Sequence, residues 1–241
     1  MVDLFVDQAY TPFTVAILWS VVGFACYYFL SMNRSLTGKI WSGTREPETG
    51  VAAVVIQRLW GLIFLGILPV LLVVLVFKDS PREYGLSFSF TQTPPWWSYL
   101  VVPVILVAGF FSASSPSNLA RYPQMRIKQW THGVLFLSAL SWIIFLIAYE
   151  FLFRGFVLYA TLTVMEPWQA VAVNCALYAF AHFYKGPGET FGAIPLGILL
   201  CYLTLQTGNI WSAVIIHSVM ALSNEWYAIR AQPDMQVKRR K

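Results

Sequence analysis

Long apolar runs, separated by short polar stretches, dominate the chain. A run of about 20 mostly apolar residues is long enough to cross a bilayer as a helix. On that rule the pattern predicts seven membrane-spanning helices, at 12–31, 51–77, 97–113, 132–163, 167–183, 190–206 and 209–228. The fourth is too long to cross upright, so we expect it to tilt, to project beyond the bilayer or to break. The sequence therefore predicts an all-α, polytopic membrane helix bundle.

The composition supports a membrane protein. Hydrophobic residues make up 58% of the chain and charged residues 11%, whereas soluble domains carry about a quarter charged residues. We expect a single integral membrane domain over residues 1–241, with a basic tail at 229–241. The net charge of +5 lies in loops and in that tail. It therefore indicates topology or contact with the lipid bilayer, and not a nucleic-acid partner.

The basic residues also predict an orientation. With the N-terminus outside, twelve Lys and Arg residues of loops and tail fall on the cytoplasmic side, and only Lys78 and Arg82 fall outside. This is the bias of the positive-inside rule. Two ionisable residues lie toward the ends of spans: we expect Arg58 to extend toward the inner interface and Glu225 to be interfacial.

Four ionisable side chains lie deeper within the predicted spans. Glu150 and Arg154 are one helical turn apart in the fourth span, and His182 and His217 lie in later ones. Such groups are costly in hydrocarbon and usually face a polar cavity or one another. We therefore expect one shared polar pocket.

The fourth and fifth spans form a predicted helical hairpin. Antiparallel pairing about its turn brings Glu150 level with His182 and places Arg154 opposite Tyr178. Asn174, Tyr178 and His182 are spaced i, i+4 and i+8, which forms one polar stripe on the fifth helix. His217 follows a second tight turn, around Gly208.

Each group also has a simpler interpretation. Glu150 and Arg154 can neutralise each other as a salt bridge, and either histidine can bond a backbone carbonyl. The combination favours catalysis, because a buried carboxylate can act as a general base on water. Imidazoles can orient that water or donate hydrogen bonds to an oxyanion.

Three motifs resemble those of the CAAX protease and bacteriocin-processing family, also called CPBP or Abi. Residues 149–155, YEFLFRG, resemble its EExxxR motif, and 178–182, YAFAH, resemble FxxxH with Tyr for Phe. Residues 207–217, in which a Thr-Gly turn leads to a helix bearing His217, are similar to the third motif. The resemblance covers roughly residues 135–228, which we expect to be the catalytic core.

The resemblance implies a glutamic-type intramembrane endopeptidase that hydrolyses a membrane-associated protein or peptide without a cofactor. In that family the first Glu of the pair is the proposed base, Arg supports the carboxylates and the first His positions water. The second His and a nearby Asn stabilise the oxyanion. A prokaryotic cell membrane is the expected location, with the C-terminus cytoplasmic.

The chain departs from the family pattern twice. Tyr149 occupies the first Glu position, and Ala221 stands where the third motif usually has Asn or Asp. Glu150 must then act as the base, with Tyr149 or Tyr178 lending a hydroxyl, or hydrolysis has been lost. Asn224 can replace the missing amide.

Three alternatives remain open. The first is a catalytically inactive relative that binds or scaffolds in the membrane. The second is a metal-dependent protease, since two His and one carboxylate are a plausible ligand set; HExxH is absent, so no metal ligands are assigned. The third is a proton-coupled transporter, which the lack of internal repeats disfavours.

Overall fold

The structure, a computed structural model, describes residues 8–33 and 50–238. Eight helices account for nearly all regular structure in these residues, which confirms the all-α prediction. They are α1 (Thr11–Ser31), α2 (Val51–Phe77), α3 (Trp96–Ser112), α4 (Pro116–Leu119), α5 (His132–Leu162), α6 (Pro167–Ala181), α7 (Pro187–Thr207) and α8 (Trp211–Ala231). Two 3-10 turns, Gln8–Tyr10 and Phe183–Lys185, precede α1 and α7.

Two short strands complete the secondary structure of the described residues. They are β1 (Gln129–Trp130) and β2 (Gln236–Val237), and they pair in parallel with Gln129 opposite Gln236. Helix α8 continues to Ala231, so the first part of the predicted basic tail is folded. Other residues used for the predicted orientation, Arg34, Lys39, Arg45 and the tail from 239 to 241, lie outside the described ranges.

All seven predicted apolar segments are helices, and the protein is a multi-pass membrane protein. Four helices, α1, α2, α5 and α7, are long and apolar enough to cross a membrane, and α3 is a shorter apolar helix. Helix α6 has 15 residues, which is fewer than an upright crossing requires.

The fourth predicted span is one continuous helix of 31 residues, without a break. It changes winding once, to a π-helix over Phe151–Val157, and returns to α-helix at Leu158. Each π segment widens the helix locally, and such segments occur frequently at functional sites. This one begins at the residue after Glu150.

Helix ends follow local sequence rules. Pro167 begins α6, where its fixed backbone angle suits the first turn. Glu166 and Gln169 form a reciprocal capping box with the backbone there. Gly208 ends α7 in the left-handed conformation, with φ of 73°, which favours glycine. The helix boundaries predicted at Pro167 and Gly208 are thereby confirmed, while the pairing of α7 and α8 as a helical hairpin stays a prediction.

The described chain divides into two compact units. The first comprises Met1–Tyr27, Leu62–Pro94 and Ile147–Ala213, and the second comprises Tyr28–Gly61, Pro95–Leu146 and Val214–Lys241. In the first unit α6 and α7 pack along one another, with an apolar cluster formed by Leu158, Ala170, Val171, Cys175 and Cys201. In the second unit the main cluster is Val54, Met125, Trp130 and Ile229. The single domain over 1–241 stays a prediction.

The expectation that Arg58 extends into the interface was wrong, while the interfacial depth expected of Glu225 stays a prediction. Both side chains are buried, at 3% and 1% exposure, and they face each other within the second unit. The sequence prediction placed both residues at the membrane interface because they lie toward the ends of predicted spans. Neighbouring segments in fact cover both groups, and a linear pattern does not reveal that.

Candidate active site

The centre of the candidate site is a buried ion pair on α5. Arg154 Nε lies 3.3 Å from Glu150 Oε2, and both side chains are fully buried. Removing one partner of such a pair leaves an uncompensated charge, which costs about 3–5 kcal/mol. Each charge of the pair therefore compensates the other, which allows a carboxylate to be buried inside the helix bundle.

Arg154 also contacts helix α6. Its Cζ lies 4.0 Å from the centre of the Tyr178 ring, within cation–π distance. The antiparallel register predicted for α5 and α6 placed these two residues opposite each other, and this contact confirms it.

His182 is the C-cap residue of α6 and lies beside the same tyrosine. Its Nδ1 is 2.8 Å from the carbonyl oxygen of Tyr178, and the two rings are 4.6 Å apart. Because a carbonyl only accepts hydrogen bonds, Nδ1 must donate. The neutral imidazole then carries its lone pair on Nε2. That nitrogen is suited to accept a hydrogen bond from a water molecule.

Tyr149 completes an aromatic group around His182. The Tyr149 ring meets the His182 ring edge to face at 6.1 Å and the Tyr178 ring at 5.9 Å. The residue at the family's first Glu position thus faces the histidine, and its neighbour Glu150 binds Arg154. The structure therefore brings together the residues of the first two motifs.

Asn174 anchors α6 to both neighbouring helices. Its side-chain amide donates to the carbonyl of Phe153, within the π segment of α5, and its Oδ1 accepts from the Cys201 thiol of α7 at 3.1 Å. The polar stripe identified Asn174. Sequence reasoning missed Cys201, because a cysteine in an apolar run resembles any small core residue.

A glycine of α7 also adjoins the ion pair. A Cβ on Gly197 would lie 3.2 Å from Cys175 Sγ, 3.2 Å from the Tyr178 ring and 3.7 Å from Arg154 Nη2. The absent side chain lets α7 approach α6 closely. The sequence alone did not single out this glycine, because nothing along the chain shows which residues it faces.

The third motif forms a turn that the loop after α2 holds in place. Ile210 N–H donates to the carbonyl of Gly85, and Thr91 N–H donates to the carbonyl of Thr207. Asn209 Nδ2 donates to the Ser89 carbonyl at 3.1 Å. These bonds fix the chain where it enters α8.

The same loop contacts the first residue of α8. Trp211 Nε1 donates to the Ser87 carbonyl at 3.0 Å, and its ring stacks on Phe88 at 4.7 Å. Asn209 Oδ1 in turn accepts from Trp211 N–H at 3.1 Å. Sequence reasoning noticed the Thr-Gly turn but assigned no role to residues 85–91.

The remaining candidates, His217 and Asn224, lie on α8 within the second unit. His217 is buried and Asn224 is half-buried. Their separation of seven residues places them on one face of that helix. A pocket that they share with Glu150 stays a prediction.

The described residues contain no group of three or more His, Cys, Asp or Glu side chains placed to hold a metal ion. The metal-dependent alternative therefore gains no support from the geometry within residues 8–33 and 50–238.

Comparison with known proteins finds one family that matches part of the chain. Residues 129–223 match a family described as type II CAAX prenyl endopeptidase Rce1-like. No curated protein and no solved structure matches the chain. The matched segment contains Glu150, Arg154, His182 and His217 and ends one residue before Asn224. The predicted resemblance to the CAAX protease family is confirmed.

Proposed function

We propose, from the match of residues 129–223 to this endopeptidase family, that the protein is an intramembrane peptidase. It hydrolyses a peptide bond in a membrane-associated protein or peptide. The observation that carries the proposal is the buried Glu150–Arg154 pair. The Arg154 guanidinium stacks on the Tyr178 ring, and His182 bonds the Tyr178 carbonyl. These four residues join the first two motifs in one compact cluster.

In the proposed reaction Glu150 removes a proton from a water molecule, and the resulting hydroxide attacks the scissile carbonyl carbon. The C–N bond then breaks, and the proton passes from Glu150 to the leaving amine nitrogen. Arg154 orients the carboxylate, while His182 Nε2 holds the water. His217 donates to the tetrahedral oxyanion, with Asn224 beside it. Positioned acids and bases of this kind contribute about 10²–10⁴-fold in rate.

Three further residues support the site in this proposal. Tyr149 and Tyr178 supply ring contacts and hydroxyls, and Asn174 holds α6 against the π segment that contains Arg154. Tyr149 matters most, because it replaces the carboxylate that the family resemblance implies. Glu150 then has to serve as the base while it stays paired with Arg154. The guanidinium keeps it oriented and compensates for its charge.

A second candidate function has its own support. Tyr149 and Ala221 remove one carboxylate and one amide from the family pattern, which favours a non-catalytic relative that binds a membrane partner. The Glu150–Arg154 pair would then have a purely structural role.

Cleavage of defined peptides separates the two functions. The purified protein is reconstituted in vesicles and offered a farnesylated peptide ending in a CAAX sequence, the same peptide without the lipid, and a leader peptide. We expect at least one to be cut, and Glu150→Gln and His182→Ala to abolish that activity. Glu189→Gln is the matched control, because Glu189 forms a half-exposed i,i+4 pair with Lys185 at 3.4 Å. Full activity in either folded site variant rejects the mechanism. A wild-type protein that cuts none of the peptides favours the non-catalytic function.

We further propose that residues 1–241 form one integral membrane domain, with a catalytic core at 135–228 and a basic tail from 229. The excess of basic loop residues supports a cytoplasmic C-terminus and an external N-terminus in a prokaryotic cell membrane. Labelling of single cysteines placed at Lys78 and at Lys238 in intact cells tests this orientation. Lys78 should react with an impermeant reagent, and Lys238 should not.

A further inference from the structure

A second buried polar cluster lies in the second unit, around Arg58 of α2. Arg58 Nη1 donates to the Ser138 carbonyl at 2.9 Å and to Ser141 Oγ at 2.7 Å, both on α5. Its Nη2 donates to Gln124 Oε1 at 3.1 Å, in the segment before β1. One guanidinium thus connects α2 with two other segments.

The same guanidinium faces α8. Arg58 Nη2 lies 4.0 Å from Glu225 Oε1. The Gln124 backbone N–H donates to both Glu225 oxygens, at 3.2 and 3.3 Å. Arg58 Cζ also lies 4.3 Å from the Trp142 ring centre. Helix α8 is therefore held at Glu225 by a buried charge and by a backbone donor.

This cluster is separate from the residues assigned to chemistry. Arg58, Gln124 and Glu225 all lie outside the segment that matches the family, 129–223. Buried charged residues in a membrane bundle are expensive, which makes a functional role the first hypothesis for them. The guanidinium contacts protein groups on several sides, so the geometry indicates a role in holding the neighbouring segments in place.

We propose that Arg58 is a positioning residue that, through Glu225, sets the rotation of α8 and so the direction of the face bearing His217 and Asn224. This inference rests on the proposed function, in which that face meets the oxyanion. Glu225 follows Asn224 directly and lies about 80° around the helix from His217, at 100° per residue. A rotation of α8 about its own axis would turn both His217 and Asn224, and the contacts of Glu225 oppose such a rotation.

A small rotation is enough to matter. A helix with its side chains has a radius of about 5–6 Å, so a turn of about 10° moves a side chain by about 1 Å. A displacement of about 1 Å can lower a catalysed rate by about 100-fold.

Arg58→Lys tests the inference, because it keeps the charge but offers one nitrogen where Arg58 uses two. Two readouts are taken in vesicles: peptide cleavage, and the distance distribution between nitroxide labels on Phe136 of α5 and Trp226 of α8, both exposed. We expect a broader distribution, with kcat lowered about 10–100-fold and KM unchanged. Arg230→Lys makes the same chemical change at an exposed position of α8 and should match the wild type.

Ser141→Ala is the second variant, in case Arg58→Lys does not fold. It removes one acceptor and no charge, so we expect the same changes on a smaller scale, with kcat lowered at least two-fold. Wild-type kcat, or a wild-type distance distribution, in the folded variants overturns the inference. A wild-type protein that cleaves nothing overturns the proposed function instead. In that case the label distances alone test whether Arg58 positions α8.

Discussion

The guanidinium carbon of Arg154 lies 4.0 Å from the ring centre of Tyr178, while Arg154 Nε lies 3.3 Å from Glu150. A single side chain thus joins a carboxylate of α5 to an aromatic ring of α6. The planar guanidinium allows both contacts at once, since it can stack on a ring and donate at its edge.

Arg154→Lys should lower peptide cleavage by about 10–100-fold although the charge is kept. An ammonium group does not stack on the Tyr178 ring as a guanidinium does, so the carboxylate loses its fixed orientation. Initial cleavage rates in vesicles measure the effect. The exposed Arg121→Lys provides the control, and equal rates in the two variants would contradict the importance of stacking.

The Glu150–Arg154 pair should show strong thermodynamic coupling. Arg154→Met and Glu150→Leu each leave a buried charge alone, so we expect each to destabilise the fold by about 3–5 kcal/mol. The double variant should lose much less than the sum of these two costs. Reversible unfolding in detergent micelles gives the double-mutant cycle. The half-exposed Lys185–Glu189 pair should yield a coupling of about 0–1 kcal/mol. A coupling that small at Glu150–Arg154 would show that the pair is not shielded from solvent.

Gly197→Ala should disturb the approach of α7 to α6. The added Cβ would lie 3.2 Å from both Cys175 Sγ and the Tyr178 ring, and such overpacking costs about 1–3 kcal/mol. Gly192→Ala is the control on the same helix, because its Cβ would meet nothing within 4 Å. There we expect no loss, and a gain of up to about 1 kcal/mol from helix propensity. Thermal unfolding distinguishes the two, and equal stabilities would reject the close contact.

Asn174→Ala should destabilise the first unit by about 1–3 kcal/mol, because it removes a buried amide that bonds two other helices. Cys201→Ala should cost less, since a thiol is a weak donor. Asn118→Ala serves as a comparison, because Asn118 is partly exposed and its side chain donates one bond, to the Ala113 carbonyl. Unfolding free energies test this order. A cost at Asn174 no greater than at Asn118 would remove its anchoring role.

Much of the architecture follows from the apolar pattern. Seven apolar runs predicted seven helices, and Pro167 and Gly208 marked two of the turns between them, because helix boundaries depend on backbone geometry that these residues impose locally. The contact between Arg154 and Tyr178 was also predictable, since an antiparallel hairpin relates residues equally distant from its turn.

Other features could not be predicted from the sequence. The burial of Arg58 and Glu225 depends on Gln124, Ser138 and Ser141, which lie far away in sequence. The Gly85–Thr91 loop that holds the third-motif turn carries no pattern of its own. The π-helical winding after Glu150 likewise has no signature in residue order.

The sequence by itself determined the apolar helices, their order and the residue types able to do chemistry. Hydrophobic patterning and helix-ending Pro and Gly residues act over short stretches of chain, and the family's motifs are short stretches of consecutive residues. Only the tertiary structure decided which polar groups from distant segments meet, because such a partner comes from whichever segment packs alongside. Glu150 has its partner one turn away, whereas the groups that accept hydrogen bonds from Arg58 lie 66 to 83 positions further along the chain.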